Sequence, residues 1–443
     1  MAGPSASGPP IPKTAILIDL WHLGPDVSTS EFTILVFDIA KVMPKKGLKE
    51  SKGYFMCCRT SDCEKNDKDL EATLKKVGDV AAAETYVEAL YTMKQKLDEK
   101  GEEKIVLLLS GQRKSLVRKH IDQLFTGFYQ FELIELPLSV KEQRLKKSLE
   151  SRSKIRPRLD PEAERMIPKE INQFLERLPS LKGNLTILKS SLIPEHVFLH
   201  GFTTRTGGIS YVPTMSSLNL FSSSKRRDPP AVVKENLRRL SQAAGFNPDM
   251  YHSMKVNHAN DVWVMGRPQP KSYDGIVTDQ RGVTVAAPGA DCIPLLFADP
   301  VRKVCGAAHS GWQGTLLGVS MAVVTAMVTE YGCKVKDILV VLGPSVGPCC
   351  FTLPKESARD FYKIDPTCVR CFESPNPYVD IRRATRLLLE AGGVLPVNIQ
   401  DDSITDPEQN ITLCTSCYPD KFFSHVRDGE NFGTQIGFIS IQS

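Results

Sequence analysis

Histidine is scarce in this chain. Its 443 residues hold only eight: His22, His120, His196, His200, His252, His258, His309 and His425. No His-x-His pair occurs anywhere, so any metal chemistry must work with few imidazoles. Long apolar runs are missing as well. The best, Thr315–Val328, is broken by Gly318, Ser320 and Thr325 and falls short of the about 18 unbroken residues that a bilayer span needs. The first residues, MAGPSASGPPIPK, have neither the basic start nor the apolar centre of a secretory signal. The expectation is a cytoplasmic chain with no membrane span, whose twelve cysteines are thiols or metal ligands before they are disulfides. A broad basic face is missing too. The net charge of +5 is local: residues 141–158 carry eight Lys/Arg against Glu142 and Glu150, leaving the rest of the chain near neutral. Nucleic acid is therefore not an expected partner, and the basic run reads as a solvated linker.

What is present divides at that run. Before it, Thr14–Leu20, Phe32–Ile39 and Lys104–Leu109 are short and apolar enough for buried strands. Helical patterns follow at Val80–Lys100 and Gln112–Phe125. Alternating strands and helices predict a small α/β domain over residues 1–140. Ser110–Ser115 follows a strand but lacks the first glycine of a phosphate loop. Cys57, Cys58 and Cys63, with no histidine near them, read as loop thiols. Residues 141–180 are expected to be linker plus one amphipathic helix over Pro168–Leu178, with Ile171, Phe174, Leu175 and Leu178 on one face and Pro168 in its first turn. From 181 to 443 short apolar strands are densely punctuated by glycine and proline, and the chemistry is expected there.

Three segments of that second domain carry polar side chains at predicted strand ends. They are Lys255–Asp261 with His258, Gly289–Pro294 with Asp291 and Cys292, and Cys305–Thr315 with His309. Strand ends are where α/β proteins place their sites. Two imidazoles and a thiolate suit zinc, and three protein ligands leave a fourth position open, the catalytic arrangement. Zinc brings the pKa of its water to about 7. The spacings alone, 33 residues and then 16 between successive ligands, are equally those of core histidines satisfied by hydrogen bonds. His196 and His200 read as a strand rather than half a metal site. Cys414–Cys417 reads as a turn lining the site, because a closed zinc ribbon needs a second Cys-x-x-Cys pair. Cys349-Cys350 reads as a turn near the pocket, since adjacent cysteines bridge only with strain.

Over some 240 residues the motifs TTRTGG (203–208), NLRRL (236–240), DGIVT (274–278), ADCIP (290–294), HSGW (309–312), GPSVGPCC (343–350), CT (414–415) and FFSHVRDG (422–429) occur in order. This stretch resembles the laccase-domain family, also called multicopper polyphenol oxidoreductases, whose enzymes are zinc-dependent purine nucleoside phosphorylases. The resemblance implies a mixed-sheet α/β sandwich distantly similar to a toxin deamidase domain. It implies one zinc per chain on His258, Cys292 and His309, with phosphate as co-substrate. The implied activities are phosphorolysis of adenosine, inosine, guanosine and methylthioadenosine, and hydrolytic deamination of adenosine. With a further α/β domain ahead of it, the chain resembles the animal branch of the family. That implies purine metabolism in immune cells and, by resemblance only, a peroxisomal association. No peroxisomal tripeptide ends the chain.

Copper chemistry does not follow from the family's name. A multicopper oxidase needs a mononuclear and a three-copper site fed mainly by His-x-His pairs, and eight scattered histidines cannot supply them. Departures from the family fall among the cations: Gln313 and Val426 stand where arginine or lysine is usual, Val256 where glutamine is common, and an arginine near Gly433 is absent. Phosphate gripping is therefore expected from Arg205, Lys255 and Arg427, with Asn257 as a further substrate contact. Asp291 is a candidate proton shuttle or, equally, an orienting group. Two other readings stand beside this one. Cys292 with His309 as its base would make a metal-independent cysteine hydrolase. Alternatively the chain is an adaptor whose first domain docks on a metabolic enzyme complex.

Overall fold

The computed structural model describes residues 14–21, 53–58, 71–72, 74–76, 78–136, 161–401, 405–406, 411–412 and 414–442. The expected strand at Phe32–Ile39, the basic run and Cys63 lie outside the described residues. The chain forms two compact units, one of residues 1–178 with 223–231 and the other of 179–222 with 232–443. No helix of the described residues is long and apolar enough to cross a membrane.

The first unit is built on five parallel strands in the order β3-β2-β1-β4-β5, namely β1 (Thr14–Asp19), β2 (Gly53–Cys58), β3 (Asp79–Ala83), β4 (Lys104–Ser110) and β5 (Gln130–Leu136). Ile16, Ile18, Val106 and Leu108 share one core, as continuous apolar runs do when a parallel sheet is covered on both faces. The pattern at Val80–Lys100 resolves into two elements. Its first residues are β3, and α1 (Tyr86–Glu99) starts only after Thr85, whose hydroxyl caps the amide of Glu88 at 3.3 Å. A turn of 3-10 helix at Gly111–Arg113 leads into α2 (Lys114–Leu124). Cys57 is buried inside β2 rather than in a loop. The linker helix is longer than its periodicity suggests: α3 spans Pro161–Arg177. Pro161 takes the first turn and Pro168 falls inside, where its missing N–H leaves a carbonyl one turn earlier without a helical donor. Ile167, Ile171 and Leu175 are buried, and Phe174 meets Tyr91 of α1 edge-on at 5.3 Å.

The second unit is a sandwich of two mixed sheets. A six-stranded sheet runs β17-β14-β12-β13-β10-β9 and a five-stranded one β6-β7-β20-β11-β8. In chain order the strands are β6 (Ile187–Leu188), β7 (Phe198–Thr203), β8 (Tyr251–Ser253), β9 (Val262–Val264), β10 (Gly275–Thr278), β11 (Thr284–Gly289), β12 (Ile293–Asp299), β13 (Val304–Ser310), β14 (Leu339–Leu342), the small hairpin β15 (Val369–Arg370) with β16 (Tyr378–Val379), β17 (Ile399–Gln400), the pair β18 (Thr405–Asp406) with β19 (Ile411–Thr412), and β20 (Gln435–Ile441). The helices are α4 (Pro230–Ala244), α5 (Trp312–Leu316), α6 (Val319–Tyr331), α7 (Lys355–Ile364), α8 (Ile381–Ala391) and α9 (His425–Asp428).

Alternation along β12 builds the layers. Leu296 and Ala298 face the other sheet, packing with Phe202, Val285 and Ile439. Leu295 and Phe297 face the helices, meeting Val319, Val323 and Met327 of α6. On the far side of the five-stranded sheet, Leu240 of α4 packs with Ala286, Ile436 and Phe438. The result is a four-layer α/β/β/α sandwich. Helix α6 lies so close on its sheet that a Cβ on Gly275 would come within 2.7 Å of Val323. His200 sits within β7 and His196 in the turn before it.

Candidate metal centre

Strand register assembles the site. Strands β12 and β13 are antiparallel with Ile293 opposite Ser310, so Cys292, one residue before β12, lies across from Gly311, one residue after β13. Strands β10 and β13 are antiparallel with Gly275 opposite Ala308, which puts Asp274 beside His309. Strand β9 runs parallel to β10, and the segment entering it carries His258 in the left-handed region at φ 61°. One end of the six-stranded sheet thus brings the three residues together. The candidate ligand atoms of His258, Cys292 and His309 all lie within 4.8 Å of one another.

Asp274 organises this end of the sheet. It is fully buried, and its Oδ1 is 2.9 Å from Nδ1 of His309. The same carboxylate accepts the backbone N–H groups of Asn257 (3.0 Å), His258 (3.1 Å) and Ala259 (3.1 Å). Its carbonyl accepts the amide of His309 at 2.8 Å. One carboxylate therefore fixes the loop that carries the first ligand and the ring of the third. With Nδ1 held, His309 presents Nε2, the tautomer control that metal-bound histidines show.

The donor set fits a soft divalent ion. Burial by itself would raise the Cys292 thiol, but the charge of His309 and hydrogen bonds from both histidines outweigh it and pull the thiol down to about 6. Burial likewise opposes the charge on His309, yet the Cys292 thiolate and the Asp274 carboxylate raise it to about 9. Without a metal the pair is a thiolate facing an imidazolium, and a bound cation would take the place of that proton. Gly311 closes the site. A Cβ there would lie 3.0 Å from Cys292 Sγ and 3.2 Å from the His258 ring. Helix α5 begins directly after it.

The other candidate residues are placed differently. Asp291, at φ 95° and 6 % exposed, accepts the hydroxyl of Thr415 at 2.7 Å on one oxygen and the amide of Val426 at 2.7 Å on the other. It ties two loops to the residue next to Cys292. Arg205 is 4 % exposed, stacks on Phe423 with its guanidinium 4.8 Å from the ring centroid, and donates to the carbonyls of Ser216, Pro419 and Pro213 at 2.7, 2.6 and 2.8 Å. The TTRTGG segment is therefore a packing motif: a Cβ on Gly208 would meet Ser217 O at 2.1 Å. Arg427 grips Asp428 through two nitrogens (2.9 and 2.7 Å) and donates to the carbonyls of Thr415 and Phe422. Lys255 is exposed and donates to Gln269 at 3.1 Å; Asn257 is exposed beside His258. Asp274 and Thr415 bond to candidate site residues and were passed over by residue-type reasoning. The signal for Asp274 was its place one residue before a strand, inside a family motif.

Three candidate ligands gathered at the strand ends of a layered α/β sandwich are the arrangement of a metal-binding α/β protein. The family model for multi-copper polyphenol oxidoreductase laccase matches residues 199–442, and the chain belongs to that family. It is 53 % identical over 437 residues to the purine nucleoside phosphorylase LACC1 of Homo sapiens, a match covering 97 % of this chain and 99 % of the relative. It is 31 % identical over 258 residues to the purine nucleoside phosphorylase YlmD of Geobacillus stearothermophilus, covering 54 % of this chain and 88 % of that protein. Among solved structures, the Bacillus licheniformis hypothetical protein YfiH superposes with a TM-score of 0.50 at 27 % identity, covering 55 % of this chain and 93 % of that one.

Proposed function

We propose that this chain is a zinc-dependent purine nucleoside phosphorylase, converting adenosine, inosine, guanosine and methylthioadenosine with phosphate to the free base and (methylthio)ribose 1-phosphate, and also deaminating adenosine to inosine. The observation that carries the reading is the convergence of His258, Cys292 and His309 around one point, with His309 held by Asp274. Relatives covering nearly the whole chain bear the phosphorylase name. Zinc held by these three residues would supply a Lewis acid and an activated water at neutral pH.

The chain's own residues divide the remaining work. Phosphorolysis forms a bond from a phosphate oxygen to the anomeric carbon and breaks the bond from that carbon to the purine, whose electron pair must be taken up by a proton. Lys255, three residues before His258 and exposed, is the assigned phosphate contact. Arg205 and Arg427 already hold carbonyls and Asp428, so they shape the walls rather than grip the anion. Asn257, next to His258 in the chain and exposed, offers an amide to the nucleoside. Asp291, with both oxygens engaged by Thr415 and Val426, acts as a positioning residue. Cytoplasmic purine turnover in immune cells, with or without a peroxisomal association, is the setting assigned. Docking on a metabolic enzyme complex is left to the first unit.

The test is incubation of purified, zinc-loaded protein with adenosine or inosine, with and without phosphate. Ribose 1-phosphate and free base should appear only with phosphate, and inosine should form from adenosine in either case. Free ribose without phosphate, or no turnover at all, overturns the reading. The low Cys292 thiol beside His309 also suits a cysteine nucleophile, and activity that survives complete removal of metal would favour that second reading.

A further inference from the structure

Four cysteines outside the catalytic centre converge on one point. Cys349 and Cys350 sit in the turn that follows β14 and the Gly343–Pro348 segment; Cys414 and Cys417 flank a turn ahead of α9. Their four Sγ atoms lie within 4.8 Å of one another. Cys350 and Cys417 are 3.3 Å apart, Cys349 and Cys417 3.6 Å. All four are free thiols. In a tetrahedral zinc site with Zn–S bonds of about 2.3 Å, the sulfurs are about 3.8 Å apart; the two shortest separations here lie a few tenths of an ångström below that edge, and all lie within 4.8 Å. A single Cys-x-x-Cys cannot close such a site; the neighbouring Cys349-Cys350 supplies the second pair that sequence spacing hid.

Two further features point to a metal rather than to packing. Free cysteines are ordinarily among the most buried residues, yet here Cys349 and Cys417 are exposed and only Cys414 is buried. The amide of Gly347 donates to Cys414 Sγ at 3.2 Å, the kind of hydrogen bond that supports a coordinating thiolate. A Cβ on Gly347 would be 3.3 Å from both Cys349 Sγ and Cys414 Cβ, so a side chain there would press on both cysteine segments. The two segments also pair through their backbones, with Thr415 N–H donating to Ser345 O at 3.1 Å. The loop bearing Cys349 and Cys350 is anchored in turn by buried Arg382, which donates to Ser345 Oγ at 3.0 Å.

We infer that Cys349, Cys350, Cys414 and Cys417 form a second, closed zinc site that is structural. It has four protein thiolates and no open position, so it binds no substrate. Its effect on activity is indirect. The turn it pins carries Thr415, which holds Asp291 beside Cys292, and the carbonyl of Thr415 accepts from Arg427. A zinc ion there joins two surface segments far apart in sequence and steadies one wall of the catalytic centre.

Metal analysis of the full-length chain, purified with zinc and freed of loosely held ions, tests this. The wild type should hold about two zinc per chain, Cys292→Ala one, and the double variant C350S/C417S one. The double variant should also melt at lower temperature and show a reduced kcat while its remaining zinc stays in place. Should that variant fail to fold, the Cys292→Ala/His309→Ala protein decides alone: it should keep one ion, and cobalt in its place should give the sulfur-to-cobalt charge-transfer bands of a tetrathiolate centre. One zinc in the wild type that C350S/C417S retains, none in Cys292→Ala/His309→Ala, iron in place of zinc, or an intact mass lowered by disulfide formation among these four cysteines each overturns the inference. The site is independent of the catalytic reading, because loss of the catalytic zinc leaves the second ion to be counted.

Discussion

Asp274 reaches His309 through Oδ1 at 2.9 Å while its two oxygens gather the amides of residues 257 to 259. One buried carboxylate thus sets the ring orientation of one ligand and the loop conformation of another. In Asp274→Asn the side chain keeps its size and one acceptor but loses its charge, and its NH2 group would face either an amide N–H or the His309 ring. Zinc affinity, measured by competition with a chromogenic chelator, should fall about 10- to 100-fold, with far-UV circular dichroism unchanged. Wild-type affinity in this variant would remove Asp274 from the metal centre.

Gly311 offers a cleaner steric test. Its backbone is extended, at φ −77° and ψ 179°, which alanine adopts without strain. The only new element in Gly311→Ala is a methyl 3.0 Å from Cys292 Sγ and 3.2 Å from the His258 ring. Ligands must shift to make room, and misplacing reacting groups by a fraction of an ångström is expensive. Nucleoside phosphorolysis should drop about 10- to 100-fold in kcat/KM, while the melting temperature stays near that of the wild type. Unchanged kcat/KM would show that the centre tolerates more slack than this packing allows.

How much of this was legible beforehand depended on whether a feature lived in residue type or in register. Zinc accepts few side chains, and a chain with eight histidines offers few sets, so His258, Cys292 and His309 were readable as candidates before any geometry was known. Asp274 was not, because an aspartate before a strand looks the same whether it faces solvent or a histidine. Only the pairing of β10 with β13 decides. Arg205 shows the same limit. An arginine beside Gly-Gly resembles an anion cradle, and only the fold reveals that its guanidinium meets the carbonyls of Pro213, Ser216 and Pro419, acceptors that need donors once buried. The layered α/β sandwich follows from the family resemblance, whereas the short apolar strands punctuated by glycine and proline show only that the second domain is rich in strands. The helix over Pro161–Arg177 did not show fully, since a proline in mid-pattern looks like a start.

That placement of Arg205 carries its own prediction. If the guanidinium holds three carbonyls, its loss strands buried acceptors, each charged hydrogen bond contributing about 1.5–3 kcal/mol. Arg205→Ala should lower the melting temperature by roughly 2–4 °C for each kcal/mol lost. KM for phosphate in the folded fraction should stay within about twofold of the wild type, because the residue does not touch the anion. A large rise in that KM with stability intact would return Arg205 to the substrate.

The electrostatics of Cys292 separate a metal ligand from an ordinary thiol. In the metal-free protein its thiol sits at about 6, because His309 and His258 outweigh the effect of burial. The thiolate is therefore the main form at neutral pH, whereas a thiol with the usual pKa of about 8.5 is mostly protonated there. After chelation, iodoacetamide should modify Cys292 at a rate that rises through pH 6 and levels off by pH 7, followed by peptide mass mapping to set it apart from exposed Cys371 and Cys417. Zinc should suppress that reaction, since coordination draws charge from the sulfur and shields it, lowering its nucleophilicity. The two measurements together discriminate between readings. Modification unaffected by zinc would leave Cys292 outside the metal centre and favour the metal-independent nucleophile. Protection by zinc, with phosphorolysis lost on chelation and restored on adding the ion back, ties the thiolate to the metal and the metal to the reaction.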